Sequence, residues 1–238
     1  MFFIKQKIRT PYFEVGVKNY IYGDAVVEMG KHLENLSIKY DIDIVYIVPF
    51  LELYRVAQST EALIVFAPYM DAIQTGRGMG LILPEGVKAA GAKGVLLNHC
   101  EKPMTLSTIK QAINRADELD LLTLICADTI EEARAIAQLH PDIISPEPNE
   151  LIGSGFASEL SFVMENIKEI KSIDPGILVE QAAGITTGKQ VYEFLMAGSE
   201  GTGAGSGIFM SKDPFAVADE MIASVRKARD DMNARKQH

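Results

Sequence analysis

Short runs of apolar and β-branched residues alternate with longer stretches of helical period along the whole chain. The strand-like runs cover residues 13–18, 42–48, 62–67, 94–98, 121–127, 142–145, 176–180 and, weakly, 201–205. The stretches of helical period between them cover residues 24–40, 50–59, 84–90, 106–118, 130–139, 159–173, 188–196 and 214–227. This strict alternation is typical of a parallel sheet that is covered by helices.

Two architectures share this alternation, a closed (β/α)8 barrel and a doubly wound open sheet. The run 94–97 is apolar on both faces, as parallel strands buried under helices are. No Asn-Gly or Asp-Gly hairpin turn separates adjacent apolar runs. Eight strands favour the barrel, and the length of 238 residues is close to the about 250 that is typical of it. We therefore predict an α/β fold in which residues 1–238 form a single (β/α)8 TIM barrel.

The last part of the chain fits the pattern least well. Segment 201–207 reads GTGAGSG, and glycine is a poor strand residue because it loses the most backbone entropy and packs nothing. This composition indicates that some neighbour requires bare backbone there. The segment 226–238 is charged and mixed in sign, and we predict that it is frayed.

Composition and charge exclude several classes of protein. Lys and Arg number 23 against 32 Asp and Glu, so the net charge is −9 and binding to a phosphate backbone is disfavoured. The longest apolar run, 62–70, is far shorter than the about 20 residues of a membrane span. Residues 1–5 are too short for the apolar region of a signal peptide. The chain is expected to be cytoplasmic, with no nucleic-acid or membrane partner.

Metal ligands are not clustered in the sequence. Cys100 and Cys126 are the only cysteines, too few for a disulfide scaffold or a four-cysteine zinc site. The histidines other than His99 are scattered along the chain. We therefore expect no metal site.

Three ionisable residues stand at the ends of predicted strands. Lys18 closes the first strand, His99 follows the fourth and Glu147 follows the sixth. In a barrel, the carboxyl ends of all strands surround one mouth, so these side chains are expected to meet there. Glu147 lies between Pro146 and Pro148, whose fixed φ angles position the carboxylate without supplying amide donors to it. That arrangement suits a general base.

Glycine clusters follow the last three strands, at 153–155, 183–188 and 203–207. Barrel enzymes often hold a phosphate with the loops after strands seven and eight and the N-terminus of a short extra helix. Segment 201–207 opens no dinucleotide-binding βαβ unit and lacks the Gly-Lys-Ser/Thr of a P-loop. We predict that backbone amides of these loops bind a phosphate, and that segment 149–155 is a lid over it.

Two segments carry a specific resemblance. Segment 91–101 reads GAKGVLLNHCE and segment 147–155 reads EPNELIGSG. They resemble the triosephosphate isomerase family, particularly its shorter archaeal-type branch, and the resemblance runs from the first strand to the last helix. It implies that Glu147 is the base, His99 the electrophile and Lys18 the cation beside the substrate. The phosphate pocket would be lined by Gly153, Ser154, Ala183, Gly184, Gly205 and Ser206.

The chain departs from this family at several positions near the site. Gly16 stands where the family has Asn, two places before the lysine, and Cys100 replaces the usual Ser after the histidine. Loss of the side chain at Gly16 is expected to enlarge the pocket, so Gly16 is a candidate specificity residue. The resemblance also suggests that apolar side chains of segment 69–80 are buried against another copy of the chain in a homo-oligomer, a dimer or a tetramer. A loop packed on its own subunit is the alternative.

Three hypotheses follow for the function. The first is a cofactor-free aldose–ketose isomerase of small sugar phosphates, with glyceraldehyde 3-phosphate and dihydroxyacetone phosphate as the leading pair. The second is a paralogue that isomerises a four-carbon keto-sugar phosphate such as an erythrulose phosphate. The third is a catalytically silent barrel that binds a phosphorylated metabolite. The joint presence of Lys18, His99 and Glu147 favours an enzyme, because binding alone needs no base.

Overall fold

Eight parallel strands close into a barrel in sequence order, with the last strand paired to the first. The computed structural model describes residues 5–155 and 157–236. The strands are β1 (Tyr12–Gly16), β2 (Ile44–Ile47), β3 (Ile64–Ala67), β4 (Gly94–Leu97), β5 (Leu122–Ala127), β6 (Ile143–Pro146), β7 (Leu178–Gln181) and β8 (Gly201–Ala204). The closed barrel confirms the predicted (β/α)8 fold and excludes the open sheet.

Helices follow the strands and cover the outside of the barrel. They are α1 (Asp24–Tyr40), α2 (Phe50–Ser59), α3 (Pro84–Ala89), α4 (Leu106–Glu118), α5 (Ile130–Ala137), α6 (Leu160–Ile173), α7 (Gly188–Met196), the short α8 (Ser206–Phe209) and α9 (Pro214–Lys236), with a 3-10 turn at Asn149–Leu151. Proline opens α3 and α9, where its missing amide hydrogen costs nothing. Among the helices that the structure describes, none is long and apolar enough to cross a membrane.

Two apolar layers hold the barrel together. Outward side chains such as Phe13 and Val15 of β1 are buried beneath the helices in one large core. A smaller core fills the inside of the barrel and contains Tyr12, Phe66 and Leu124. Successive strand residues point to opposite faces, so β1 contributes to both cores. Because the inner core is apolar, any charged side chain beside it faces a strong penalty for burial.

The glycines of β8 make room for large side chains of β1. Gly201 is paired with Tyr12, and a Cβ at Gly201 would lie 2.2 Å from Cζ of that ring. Gly203 is paired with Glu14, and a Cβ there would lie 2.4 Å from the carboxyl Oε2. Both distances are far below a van der Waals contact. Bare backbone is therefore required in β8 because two inward side chains of β1 lie across it.

The prediction that segment 226–238 is frayed is wrong for the part that the structure describes. Helix α9 continues to Lys236, while residues 237 and 238 lie outside the described residues. Arg226 Nη1 donates to the carbonyl oxygen of Tyr40 at the end of α1, at 3.0 Å. Asp231 accepts a hydrogen bond from the Tyr192 hydroxyl of α7 at 2.8 Å. The mixed charges thus bind neighbouring helices, which stabilises the end of α9.

Candidate active site

A cavity opens at the carboxyl end of the barrel, with a volume of about 650 Å³. Lys18, His99 and Glu147 all line it. The predicted specificity residue Gly16 also lines it, as do the predicted phosphate-pocket residues Gly153, Ala183, Gly184, Gly205 and Ser206. The predicted pocket residue outside this lining is Ser154, which is exposed and whose hydroxyl donates to the carbonyl oxygen of Leu151 at 2.8 Å.

Lys18 stands two residues beyond the end of β1. Its φ of 48° is in the left-handed region, which non-glycine residues rarely adopt. Its Nζ lies 3.2 Å from Oε1 of Glu101. Burial acts to lower the pKa of Lys18, but the carboxylates of Glu101 and Glu147 outweigh it and raise that pKa above its ordinary value. Lys18 is therefore a cation at neutral pH.

His99 is positioned by the residue before it. Asn98 has a φ of 56° and a buried side chain whose Nδ2 donates to the carbonyl oxygen of Cys126 at 3.0 Å. The amide of Glu101 donates to His99 Nδ1 at 3.1 Å, which leaves the ring proton on Nε2. Burial and the charge of Lys18 lower the pKa of His99 to about 4. The imidazole is thus neutral and carries its proton on Nε2.

Glu147 follows directly on β6. Its amide donates to the carbonyl oxygen of Ala127 at 2.7 Å, which fixes the backbone at this point. The side chain is 8% exposed. Burial raises the pKa of Glu147 above its ordinary value, although Lys18 and the nearby Cys126 and Ser145 act against the rise. A carboxylate with a raised pKa is a stronger base than one in water.

The loops after β7 and β8 approach each other closely at the cavity. The Thr187 side chain accepts from the amide of Gln190 and the Gln190 side chain binds back, so a capping box fixes the start of α7. A Cβ at Gly207 would lie 2.1 Å from the carbonyl oxygen of Ile185. Only glycine allows this approach. It brings the start of α8 beside Ala183 and Gly184 in the cavity wall.

Segment 149–155 contributes to the wall of the cavity. It begins with the 3-10 turn, where the amide of Asn149 donates to Asp128 Oδ1 at 2.7 Å. Gly153 and Gly155 have φ angles of 72° and 78°, which favour glycine. Ile152 and Gly153 line the cavity, while the residues immediately after them are exposed.

The sequence analysis missed two acidic residues that line the same cavity. Glu14 on β1 is 6% exposed and Glu180 on β7 is 1% exposed. Burial raises the pKa of Glu14 well above its ordinary value, and the charges of Glu180 and Glu147 add to the rise. Burial raises the pKa of Glu180 to about 8, with the Tyr12 hydroxyl acting against it and Glu147 adding to it.

The two-residue period of strand β1 would have indicated Glu14 from the sequence. Tyr12, Glu14, Gly16 and Lys18 occupy alternate positions, so the inward direction of the last two applies to the first two as well. The same argument applies to Glu180, two positions before Ala182 in the cavity wall.

The space beside Gly16 is not empty. A Cβ at Gly16 would lie 2.9 Å from Oε1 of Glu14. The carboxyl group of Glu14 therefore occupies the volume that a larger side chain at Gly16 would need. The expected enlargement of the pocket at Gly16 needs correction, because the missing side chain is replaced by a carboxyl group.

The residues that the structure describes include no group of three His, Cys, Asp or Glu side chains placed to hold a metal ion. The ionisable groups of the cavity include the cations Lys18 and Lys102, one neutral imidazole and several carboxyl groups. This set is suited to moving protons between carbon and oxygen atoms.

Comparison with known proteins agrees with the resemblance. A family model described as triosephosphate isomerase matches residues 15–221. The triosephosphate isomerase of Sulfurisphaera tokodaii is 36% identical over 228 residues, which cover 94% of this chain and 99% of the relative. The enzyme of the same name from Saccharolobus solfataricus is 34% identical over 226 residues, covering 93% and 99%. That from Methanobacterium bryantii is 34% identical over 221 residues, covering 91% and 97%. The chain therefore belongs to the triosephosphate isomerase family, a family of aldose–ketose isomerases.

Proposed function

We propose that this protein interconverts glyceraldehyde 3-phosphate and dihydroxyacetone phosphate by proton transfer through an enediolate. The observation that carries the proposal is the meeting of Lys18, His99 and Glu147 in one cavity, where the lysine is charged and the imidazole is neutral. A silent phosphate-binding barrel has no use for a buried base beside a neutral imidazole. The reaction belongs to glycolysis and gluconeogenesis, and we propose the cytoplasm as its location.

Each of the three side chains has a distinct part in the proposed reaction. The Glu147 carboxylate removes a proton from the carbon next to the carbonyl group, and the electron pair moves to the carbonyl oxygen. His99 donates its Nε2 hydrogen to that oxygen and moves a proton between the two oxygens of the enediolate. Lys18 stabilises the developing negative charge. Glu147 then returns its proton to the neighbouring carbon, so the reaction needs no cofactor.

The glycine loops are the proposed phosphate site. Gly153, Ala183, Gly184, Gly205 and Ser206 surround one side of the cavity and present backbone rather than charged side chains. Backbone amides in such loops bind phosphate oxygens without an arginine. Closure of segment 150–155 over the phosphate would bring Ser154 to the same site and exclude water from the enediolate.

We further propose that the protein is a homo-oligomer. The two methionines of segment 69–80 differ in their packing. Met70 is fully buried in its own subunit, whereas Met79 is 103% exposed. Leu81 beside it is also exposed. An apolar loop tip of this kind is suited to burial in a second copy of the chain.

Replacement of Glu147 by Gln tests the proposed reaction. The amide keeps the shape of the side chain but accepts no proton, so turnover of triose phosphate should fall by at least about 10² to 10⁴-fold. Exposed Glu131 on α5 is the matched control, and Glu131→Gln should leave turnover unchanged. Wild-type product formed in deuterated water should carry solvent deuterium on carbon. Near-normal turnover by Glu147→Gln would contradict the proposal.

A further inference from the structure

The proposed reaction leaves two buried carboxyl groups of the cavity without a part. Glu14 and Glu180 lie one inward-facing position deeper in the barrel than Gly16 and Ala182, respectively. Both are more than nine-tenths buried, and both line the cavity that holds Lys18 and Glu147. Burying a carboxyl group in an apolar barrel is costly, so its presence there calls for a compensating contact.

The floor of the cavity presents polar atoms without a partner. Glu180 Oε2 and the hydroxyl of Ser145 are fully buried and have no hydrogen-bond partner among the described residues. Ser145 is 1% exposed and also lines the cavity. Each such group costs free energy unless something outside the protein chain satisfies it. Ser145 and Glu180 both line the cavity, so a molecule that reaches the floor would lie beside these unpartnered atoms.

The structure makes specific room for the carboxyl group of Glu14. Its Oε1 lies against the backbone of Gly16 and its Oε2 against the backbone of Gly203. A Cβ at either glycine would come within 2.9 Å or 2.4 Å of it. Two glycines on neighbouring strands thus accommodate one acidic side chain at the floor.

The expected charge state restricts the kind of group that this floor binds. Burial raises the pKa of both carboxyl groups, the charge of Glu180 adds to the rise at Glu14, and the charge of Glu147 adds to the rise at Glu180, so the protonated forms are favoured. A protonated carboxyl donates one hydrogen bond and accepts others. Such a pair is suited to a neutral hydroxyl group, which also donates and accepts.

We propose that Glu14, Glu180 and Ser145 form a hydroxyl-binding subsite that lets the enzyme accept sugar phosphates with one more hydroxyl-bearing carbon than a triose phosphate. Four-carbon aldose and ketose phosphates are the substrate class, with the additional hydroxyl bound at the floor of the cavity. This inference rests on the proposed isomerase function. Glu14 is the specificity residue of this subsite, and its carboxyl group occupies the place of a side chain at Gly16.

Turnover of two substrates by wild-type protein and by variants tests the subsite. We expect wild-type protein to isomerise both a triose phosphate and erythrulose 4-phosphate. Glu14→Met keeps the length of the side chain and removes its hydrogen bonds, so kcat/KM for the four-carbon substrate should fall by about 10 to 100-fold. The value for triose phosphate should change much less. Glu14→Gln, which still donates and accepts, is the matched control and should retain more four-carbon activity than Glu14→Met.

Three other outcomes would contradict the proposed subsite. Wild-type turnover of triose phosphate without turnover of the four-carbon substrate would overturn the subsite and leave the proposed function intact. Turnover of neither substrate would overturn both. An equal loss on both substrates in Glu14→Met would make Glu14 a structural residue and would also overturn the subsite.

A binding measurement on wild-type protein avoids any dependence on how the variants fold. Erythritol 4-phosphate and glycerol 3-phosphate cannot be isomerised, and they differ by one hydroxyl-bearing carbon. As competitive inhibitors at pH 7, the four-carbon compound should bind at least about 10-fold more tightly. Equal inhibition constants would indicate that the carboxyl groups contact only water and would overturn the proposal.

Discussion

Burial changes the two proposed proton-transfer residues in opposite directions. Removing a group from water disfavours its charged form, so the pKa of His99 falls to about 4 while that of Glu147 rises. The histidine becomes a neutral donor and the carboxylate a stronger base. Lys18 stays charged because Glu101 and Glu147 compensate for its own burial. One cavity thus holds a cation, a neutral imidazole and a carboxyl group with a raised pKa.

The first prediction at this scale concerns His99. Its Nε2 hydrogen is proposed to bind an oxygen whose charge develops in the transition state. His99→Gln should therefore lower kcat much more than it changes KM. NMR titration of the wild-type ring should show it neutral down to about pH 4. A ring that stays protonated across the pH range of activity would contradict the proposed role.

A second prediction concerns Glu180 and stability. In the folded state its pKa is about 8, whereas an unperturbed glutamate titrates near 4.5, so between these values the folded state holds the extra proton. Raising the pH from 7 to 8.5 should therefore lower the free energy of unfolding, by up to about 1.4 kcal/mol for each pH unit. The raised pKa of Glu14 also lowers the free energy of unfolding as the pH rises. The lowered pKa of His99 affects stability only below about pH 6.5.

Denaturant titrations at the two pH values check this effect. Glu180→Gln removes the titrating group, so its free energy of unfolding should fall less between pH 7 and pH 8.5 than that of wild-type protein. A wild-type value that is unchanged or higher at pH 8.5 would show that Glu180 is ionised in the folded state.

The residues of the site were predictable to different extents. Lys18, His99 and Glu147 stand at strand ends, where a barrel brings every residue to one mouth, so position alone indicates them. Glu14 and Glu180 stand inside strands, where a charge is normally excluded, and only the two-residue period points them inward. The contact between Glu14 and Gly16 depends on the three-dimensional closure of the barrel. No local pattern in the sequence contains it.

At the scale of elements, β8 illustrates how packing overrides propensity. Its glycines are unfavourable in an isolated strand, yet inward side chains of β1 occupy the space that larger residues would need. A glycine also lies opposite a large side chain between β3 and β4, where a Cβ at Gly94 would lie 2.3 Å from Cζ of Phe66. Small and large residues alternate across the barrel interior, which keeps it filled without strain.

The third prediction tests whether the large Tyr12 side chain requires a glycine at position 201. The three atoms nearest to a Cβ at this position all belong to the Tyr12 ring, at 2.2 to 2.7 Å. Gly201→Ala should therefore destabilise the fold by about 1 to 3 kcal/mol through overpacking. Combining it with Tyr12→Leu should cost less than the sum of the two single changes, because the smaller side chain leaves room for the methyl group. Additive losses in denaturant titrations would mean that the two residues do not compete for space.

Secondary structure was predictable where the hydrophobic period and the helix-capping residues agree, and it was less predictable at the end of the chain. The runs and helical stretches up to residue 214 correspond to observed elements because each amphipathic pattern is buried in one of the two cores. The end of α9 is different, since its stability depends on a hydrogen bond that Arg226 donates to α1 and one that Asp231 accepts from α7. Charge pattern alone contains no information about those partners.

At the scale of the whole molecule, the loop between β3 and α3 connects the site to the surface. Asp71 holds the base of this loop, since its carboxylate accepts from the amide of Ile82 at 2.7 Å and from the Tyr69 hydroxyl at 3.0 Å. Tyr69, Asp71 and Ile82 line the cavity, whereas Met79 is exposed at the tip. A partner that buries the tip would therefore also restrict the part of the loop that lines the site.

The last prediction follows from this connection. Met79→Lys places a charge at the tip, and burying an unpaired charge in an interface is strongly unfavourable. Light scattering should give wild-type protein a mass of at least two chains of 26.1 kDa and give Met79→Lys a mass near one. Met164→Lys, at an exposed methionine of α6, is the control and should stay oligomeric. Because Asp71 still holds the base of the loop, the monomeric variant should remain folded while its kcat falls. A wild-type mass of one chain at micromolar concentration would contradict the proposed assembly.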